Sequence, residues 1–193
     1  WKKIPYTYAL MVVGTLALTG FPFLSGYYSK DAIIEFAYLK GSTIGYYAAA
    51  VGILTALLTA VYSWRLIFKT FHGKYNNKNN SLSSIHESPL IMILPSCLLA
   101  VGAMLAGILF KEMFIGSNSL QFWNDSILFL KSTQYDHPPT WLFAITPFVV
   151  TATIPVAYYL YVQNEKILKN FVLKNQALYN FLINKWYFDE LYD

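Results

Sequence analysis

Residues 20–31 read Gly-Phe-Pro-Phe-Leu-Ser-Gly-Tyr-Tyr-Ser-Lys-Asp, a loop-forming and charged sequence inside a long apolar segment. No charged residue lies between Lys3 and Lys30, and the apolar pattern resumes directly after Asp31. Loop-forming residues and charges are costly within an apolar segment. This stretch is therefore the first candidate for the functional part of the chain.

The length of the surrounding segment predicts that its helix is broken. Residues 5–39, taken as one straight helix at 1.5 Å per residue, would reach ~52 Å, well beyond a bilayer core of ~30 Å. Proline removes a backbone donor and glycine relaxes the backbone, which places the break at Gly20, Pro22 and Gly26. We expect two helical pieces, about 5–20 and 27–39, joined by an unwound turn that faces protein or water.

The composition indicates an integral membrane protein. Of the 193 residues, 56% are apolar and only 12% are charged, against roughly a quarter charged in soluble domains. Four stretches lack Asp, Glu, Lys and Arg, and each has the ~20 residues that a membrane helix needs: 4–29, 41–64, 88–110 and 137–164. A chain this short cannot bury four such helices inside a soluble core.

The predicted fold is therefore an all-α integral membrane protein with four transmembrane helices, of which the first is discontinuous. After the broken helix, the spans are expected at about 44–71, 88–110 and 140–162. Apolar and polar residues then alternate at helical spacing after residue 164. This pattern predicts an amphipathic helix on the membrane surface or against other helices, followed by the start of a further region, within 165–193.

Charge and cysteine content narrow the function classes. Cys97 is the only cysteine of the sequence, so no internal disulfide can form. The net charge of +4 does not indicate nucleic-acid binding, because the basic residues flank the apolar stretches and so indicate membrane topology. They are Lys2, Lys3, Arg65, Lys69, Lys74, Lys78, Lys166, Lys169 and Lys174. We expect the N-terminus, the 72–87 loop and the C-terminal helix on the cytoplasmic or matrix side, with lipid around the spans.

Lys30 is the candidate proton-relay residue. A lysine at membrane depth is normally buried, paired or hydrated. Desolvation and the positive end of the second half-helix both disfavour the ammonium, whereas the carbonyls that end the first half-helix favour it. A lysine balanced in this way can gain or lose a proton at modest energetic cost. Asp31 points about 100° away on a helix, and Glu35 shares the face of Asp31, so both are candidate electrostatic modulators.

Two alternatives stay open at this point. Lys30, Asp31 and Glu35 could lie near the far interface and extend to water. Arg65 is a candidate buried charge, but anchoring at the interface beside Trp64 explains it equally well.

The sequence has no glycine-rich nucleotide loop, nucleophile elbow or cysteine cluster. We therefore predict neither a catalytic residue nor a metal site in this chain.

Four motifs together resemble a known family. The sequence is similar to the antiporter-like subunits of respiratory complex I, NADH:quinone oxidoreductase, called subunit L in bacteria and chain 5 in mitochondria. The resemblance covers essentially the whole chain. It rests on Phe23-Leu24-Ser25-Gly26-Tyr27-Tyr28-Ser29-Lys30-Asp31 with Ile33-Ile34-Glu35, on Tyr62-Ser63-Trp64-Arg65-Leu66-Ile67-Phe68 with Phe71-His72-Gly73, on His86-Glu87-Ser88-Pro89, and on Trp186-Tyr187-Phe188-Asp189-Glu190-Leu191-Tyr192-Asp193.

The resemblance implies that the chain is part of a subunit of a larger protein complex. Residues 1–164 would be antiporter-like helices from the C-terminal half of the subunit, and residues from Trp186 on would introduce a lateral helix. Lys30 would match the lysine on the exit side of a proton path, with Asp31 as its acidic neighbour. NADH, FMN, iron–sulfur clusters and quinone would belong to other subunits. The partners would be other membrane-arm subunits, especially neighbouring antiporter-like ones, in a bacterial or mitochondrial inner membrane.

Two other functions remain as alternatives to this reading. The broken helix also occurs in multisubunit cation/proton antiporters, so the chain could belong to one of their subunits. It could also be a segment of a structural membrane scaffold whose charges all reach water.

Overall fold

All regular structure in the described residues is helical. The computed structural model describes residues 2–73, 85–126 and 139–192. Its α-helices are α1 Pro5–Thr19, α2 Ser25–Leu39, α3 Thr43–Ile67, α4 Leu90–Phe114, α5 Ser119–Trp123, α6 Thr140–Tyr158, α7 Glu165–Lys174, α8 Gln176–Ile183 and α9 Phe188–Tyr192. α3 and α6 each continue into a π-helical turn, Phe68–His72 and Tyr159–Gln163.

Three of these helices are long and apolar enough to cross a membrane. With their π turns, α3, α4 and α6 run over 30, 25 and 24 residues, and even the shortest covers a hydrocarbon core of ~30 Å. They occupy the positions of the three later spans predicted from the sequence. α4 extends to Phe114, beyond the predicted end near residue 110. α1 is a shorter apolar helix of 15 residues.

α1 ends because its glycine adopts a left-handed conformation. Gly20 has φ 84°, which costs a residue with a Cβ atom but not glycine. The amide of Gly20 donates to the Ala17 carbonyl, and the amide of Phe21 donates to the Leu16 carbonyl. This is the Schellman arrangement of helix ends. It satisfies two of the last carbonyls of α1 and leaves that of Leu18 without a backbone donor from this cap.

A tight turn then redirects the chain into α2. The Leu24 amide donates to the Phe21 carbonyl over 3.2 Å, with Pro22 and Phe23 as the central residues. Phe23 has φ 71°, and a proline followed by a positive φ is the pattern of a type II turn. α2 begins at Ser25, two residues before the predicted start, and α1 ends at Thr19, one residue before its predicted end.

α3 lies at the centre of the packing and contacts α1, α2 and α6, while α4 packs against α1 and α2. Small residues make this possible: a Cβ atom at Gly52 of α3 would lie only 3.0 Å from the Ile34 side chain of α2. One core cluster comprises Ala60, Trp64, Ile67, Phe68, Phe71 and Ala157, and the other comprises Ile34, Ala49 and Leu142.

Three connections meet at one end of the bundle. The carboxylate of Glu87, just before α4, accepts hydrogen bonds from the Tyr6 and Thr7 amides and from the Thr7 hydroxyl in the first turn of α1. The Tyr8 hydroxyl lies 3.0 Å from Nε2 of His72. The start of α1, the end of α3 and the start of α4 therefore share this end, together with the polar residues that follow α6.

The C-terminal part differs from the single amphipathic helix that was predicted. It is divided into α7 and α8 at Asn175, whose side chain amide donates to the Phe171 carbonyl over 3.0 Å. An asparagine that satisfies helix-terminal carbonyls in this way competes with continuation of the helix. Lys74 and Lys78, which contributed to the topology prediction, lie outside the described residues.

Candidate functional site

The break between α1 and α2 positions Lys30 against the end of α1. Lys30 is the sixth residue of α2, and its Nζ donates a hydrogen bond to the Leu18 carbonyl. This is the carbonyl that the Schellman cap leaves unpaired. A helix C-terminus carries a partial negative charge, so the ammonium lies where a cation is favoured. Lys30 is partly buried in this segment, and the expectation of a buried lysine in the whole subunit stays a prediction.

Two glycines permit this arrangement. A Cβ atom at Gly20 would lie 3.3 Å from Cδ of Lys30, so the lysine stem passes directly over the glycine. A Cβ atom at Gly26 would lie 1.9 Å from the Ala17 carbonyl oxygen, a separation that carbon and oxygen atoms cannot adopt. The first turn of α2 thus touches the last turns of α1 backbone to backbone.

The outer side of Lys30 faces a groove between α2 and α3. This groove has a volume of about 470 Å³ and is mostly apolar. Its polar lining includes the hydroxyls of Thr55 and Thr59, which donate to carbonyls one turn earlier in α3. In the described residues, Lys30 is therefore held by one backbone carbonyl next to a largely apolar space.

Asp31 and Glu35 lie on another side of α2. Asp31 is buried, with 9% of its surface exposed, and lines a cavity together with Tyr27. Both carboxylates line a cavity of about 150 Å³, which is large enough for water molecules. α4 contributes Lys111 to the same cavity, and its charge acts on Glu35.

A glycine of α4 brings this second lysine into place. A Cβ atom at Gly107 would lie 2.6 Å from the Tyr28 ring and 2.7 Å from Cα of Ser25, so α4 and α2 are in direct contact there. One turn later, Nζ of Lys111 lies 5.5 Å from the centroid of the Tyr28 ring. The ring face attracts the ammonium at this distance.

α2 thus separates its charged residues into two environments. Lys30 contacts the end of α1, while Asp31 and Glu35 share a cavity with Lys111. The adjacent residues Lys30 and Asp31 form no ion pair in the described structure, and the 100° offset between them on a helix allows this. The arrangement can hold a proton at the amine on one side of α2 and at either carboxylate on the other.

Arg65 does not enter this site. It is exposed on α3, and its guanidinium lies 5.9 Å from the centroid of the Tyr161 ring. Its neighbour Trp64 is the buried residue, with 5% of its surface exposed. The hypothesis of a buried charge at Arg65 stays a prediction, since this segment spans only part of the length of its relatives. No group of three or more metal-ligating side chains occurs among the described residues.

Sequence reasoning missed Lys111, Gly107 and the cavity that Tyr27 shares with Asp31. The predicted span ends at about residue 110, where the uncharged stretch stops, whereas α4 continues through Lys111 to Phe114. The four-residue spacing from Gly107 to Lys111 places both on one side of α4. That spacing was the signal that could have identified the lysine.

Comparison with known proteins gives two kinds of match. A family model described as "NADH:quinone oxidoreductase/Mrp antiporter, TM" matches residues 1–59, which include α1, the break and α2. NADH-ubiquinone oxidoreductase chain 5 of Phytophthora infestans is 39% identical over 198 residues, covering 99% of this chain and 30% of its own length. Chain 5 of Arabidopsis thaliana is 37% identical and covers 98% of this chain and 29% of its own length.

A bacterial relative extends the comparison. NADH-quinone oxidoreductase subunit L of Rhodobacter capsulatus is 32% identical, covering 100% of this chain and 36% of its own length. The chain thus spans about a third of the length of the curated relatives it matches. Its long apolar helices and these relatives indicate a multi-pass membrane protein. The matches confirm the resemblance found in the motifs: the chain is related, over essentially its whole length, to one segment of the antiporter-like subunits of NADH:quinone oxidoreductase, the family of chain 5 and subunit L.

Proposed function

We propose that the chain is part of a proton-translocating membrane-arm subunit of NADH:quinone oxidoreductase. The relatives carry the names of subunits of this enzyme. The proposed role of the segment is to hold a protonatable group at a break in a membrane helix. NADH, FMN, the iron–sulfur clusters and quinone are assigned to other subunits, and the neighbours of the segment are other membrane-arm subunits and lipid.

The proposed membrane arrangement has four spans. α1 and α2 together form the first, discontinuous one, and α3, α4 and α6 form the others. The basic residues at the shared end of the bundle assign that end to the cytoplasmic or matrix side of a bacterial or mitochondrial inner membrane. α7 and α8 then lie at that surface, and Lys30 lies beyond the break, toward the opposite face.

One contact carries the proposed role of Lys30: its hydrogen bond to the Leu18 carbonyl at the end of α1. The carbonyl stabilises the protonated amine, while the apolar groove beside it disfavours the charge. Changes in the field from Asp31, Glu35 or a neighbouring subunit would tip this balance. Lys30 then acts as a relay that binds and releases a proton, and the carboxylates modulate it.

The decisive variant is Lys30→Ala in the full-length subunit of the assembled enzyme. The experiment compares NADH oxidation with the NADH-driven proton gradient in reconstituted vesicles. We expect oxidation to continue while protons pumped per NADH decrease. Lys40→Ala is the matched control, because Lys40 follows the same helix and is exposed. Unchanged pumping in Lys30→Ala would refute the relay, and failure of the complex to assemble would indicate a structural scaffold.

The family description that names antiporters supports a second candidate. If the segment belongs to a cation/proton antiporter, sodium gradients would drive proton movement in vesicles in which NADH oxidation is absent. The same Lys30→Ala and Lys40→Ala pair, measured under a sodium gradient, separates the two functions.

A further inference from the structure

We propose that the end of the bundle formed by α3, α6 and α7 binds an anionic phospholipid. The candidate site is a cavity of about 1120 Å³, which we call the basic cavity. It lies where the two long apolar helices α3 and α6 end, and α7 begins beside it. The proposal depends on these helices crossing a membrane and is independent of any role of Lys30.

The charge of the basic cavity selects an anion. Lys69 comes from the end of α3, and Lys166 and Lys169 come from the first turns of α7. These lysines are exposed, so their ammonium groups are available to a ligand. Glu165 is the one carboxylate among the lining residues. Basic pockets at the ends of membrane helices on the cytoplasmic or matrix side are suited to phosphate headgroups.

An apolar groove continues from the basic cavity along α6. It has a volume of about 540 Å³ and is lined by aromatic and aliphatic side chains, among them Phe68, Ile154 and Tyr158. The cavity and the groove share His72 and Gln163. The hydrogen bond of His72 to the Tyr8 hydroxyl fixes the imidazole at this junction. A ligand that fits both parts has a charged head and an apolar chain.

The backbone of both helices changes where the two parts meet. α3 and α6 each change from α to π geometry, at Phe68–His72 and Tyr159–Gln163, and the two π turns pack against each other. π turns are rare and are frequent at functional sites. Here each one displaces the end of its helix, and both contribute residues to the cavity and to the groove. Charge, shape and position therefore favour a lipid over a peptide or a free anion.

Photolabelling of the assembled complex in lipid nanodiscs tests the site. One probe is phosphatidylglycerol with a photoactivatable group on an acyl chain, and the other is phosphatidylcholine with the same group. We expect the anionic probe to label peptides of α6 and the end of α3 several times more strongly. Lys166→Gln with Lys169→Gln should reduce its labelling roughly 25-fold, since each basic residue near the surface contributes about fivefold, or ~1 kcal/mol.

Lys174→Gln is the matched control, because Lys174 is on α7 but does not line the basic cavity. It should leave labelling unchanged, and native gels should show that all variants assemble. Equal labelling by the two probes would overturn the proposal. Labelling that is unchanged in the lysine variants would also overturn it. An absence of labelling would indicate that a protein segment fills the site, and complete competition by inorganic phosphate would indicate a site for a free anion; either result would overturn the proposal as well.

Discussion

A methyl group at Gly26 is predicted to separate the two halves of the broken helix. The Cβ atom of Gly26→Ala would lie 1.9 Å from the Ala17 carbonyl oxygen, whereas ordinary contact begins at 3.4 Å. The obstacle is backbone, so a side-chain rotation cannot relieve it. α2 must move away from α1 by about the difference of 1.5 Å.

Two losses follow from this displacement. Forcing extra volume into such a contact costs about 1–3 kcal/mol. A shift of this size also stretches the hydrogen bond from Lys30 to the Leu18 carbonyl past the ~3.2 Å limit of N–H···O bonds. Gly26→Ala should therefore lower both the stability of the subunit and, if Lys30 is the relay, the protons pumped per NADH.

The assay is thermal dissociation of the assembled complex, followed on native gels, with proton pumping measured on the fraction that stays intact. Gly14→Ala is the control, because nothing lies within 4 Å of a Cβ atom at that position of α1. It should be neutral or stabilising by up to ~1 kcal/mol, the helix preference of alanine over glycine. If Gly26→Ala dissociates at the same temperature as Gly14→Ala, the close contact between α1 and α2 does not exist.

Two further predictions concern other contacts of α1 and α4. Hydrogen bonds from Thr7 lower the pKa of Glu87 below its ordinary value of 4.5. The stabilisation of the folded subunit by the ionised carboxylate is therefore fully present above pH 4.5 and is lost as the pH falls through the lowered pKa. The difference in thermal stability between wild type and Glu87→Gln, measured from pH 7 downward, should shrink below pH 4.5. Gly107→Ala places a Cβ atom 2.6 Å from an aromatic ring of α2 and should destabilise the complex by about 1–3 kcal/mol in the same dissociation assay.

Each of these predictions has an internal control. Glu190→Gln removes an exposed carboxylate of α9, which is not the acceptor at the start of α1. Its difference in thermal stability from wild type should not show the decrease below pH 4.5 that is predicted for Glu87→Gln. Gly102→Ala changes the same helix as Gly107→Ala but has nothing within 4 Å of the added methyl group. A difference in thermal stability between wild type and Glu87→Gln that stays constant down to pH 3 would contradict the role of that carboxylate. Equal stability of Gly107→Ala and Gly102→Ala would contradict the contact between α4 and α2.

Sequence reasoning applies best where the physical cause is local. Long uncharged stretches predict apolar helices because length and composition alone decide whether a helix can cross a bilayer. Gly20 and Pro22 predicted an interruption because both act on their own backbone. The helix ends were less accurate: a charge at Lys111 ended the apolar run but not α4, and Asn175 divided a helix with no glycine or proline as a signal.

The contacts of the candidate site depend on tertiary structure and could not be predicted in this way. The partner of Lys30 is a backbone carbonyl 12 positions earlier, and only the geometry of the break makes that carbonyl available. Lys111 shares a cavity with Glu35 because α4 packs closely on α2 at Gly107. The offset between Lys30 and Asp31 followed from helix geometry, but the neighbours on each side of α2 did not.

The bond between Glu87 and α1 has a consequence for the order of folding. Ile4 precedes α1 and makes no side-chain cap, so the amides of Tyr6 and Thr7 obtain their acceptor from a residue about 80 positions later. During synthesis α1 leaves the ribosome before α4, yet its first turn can be completed only after the chain has passed through α3 and returned to Glu87. α1 is thus made before Glu87 but finished after it, and its start becomes fixed only when the bundle closes.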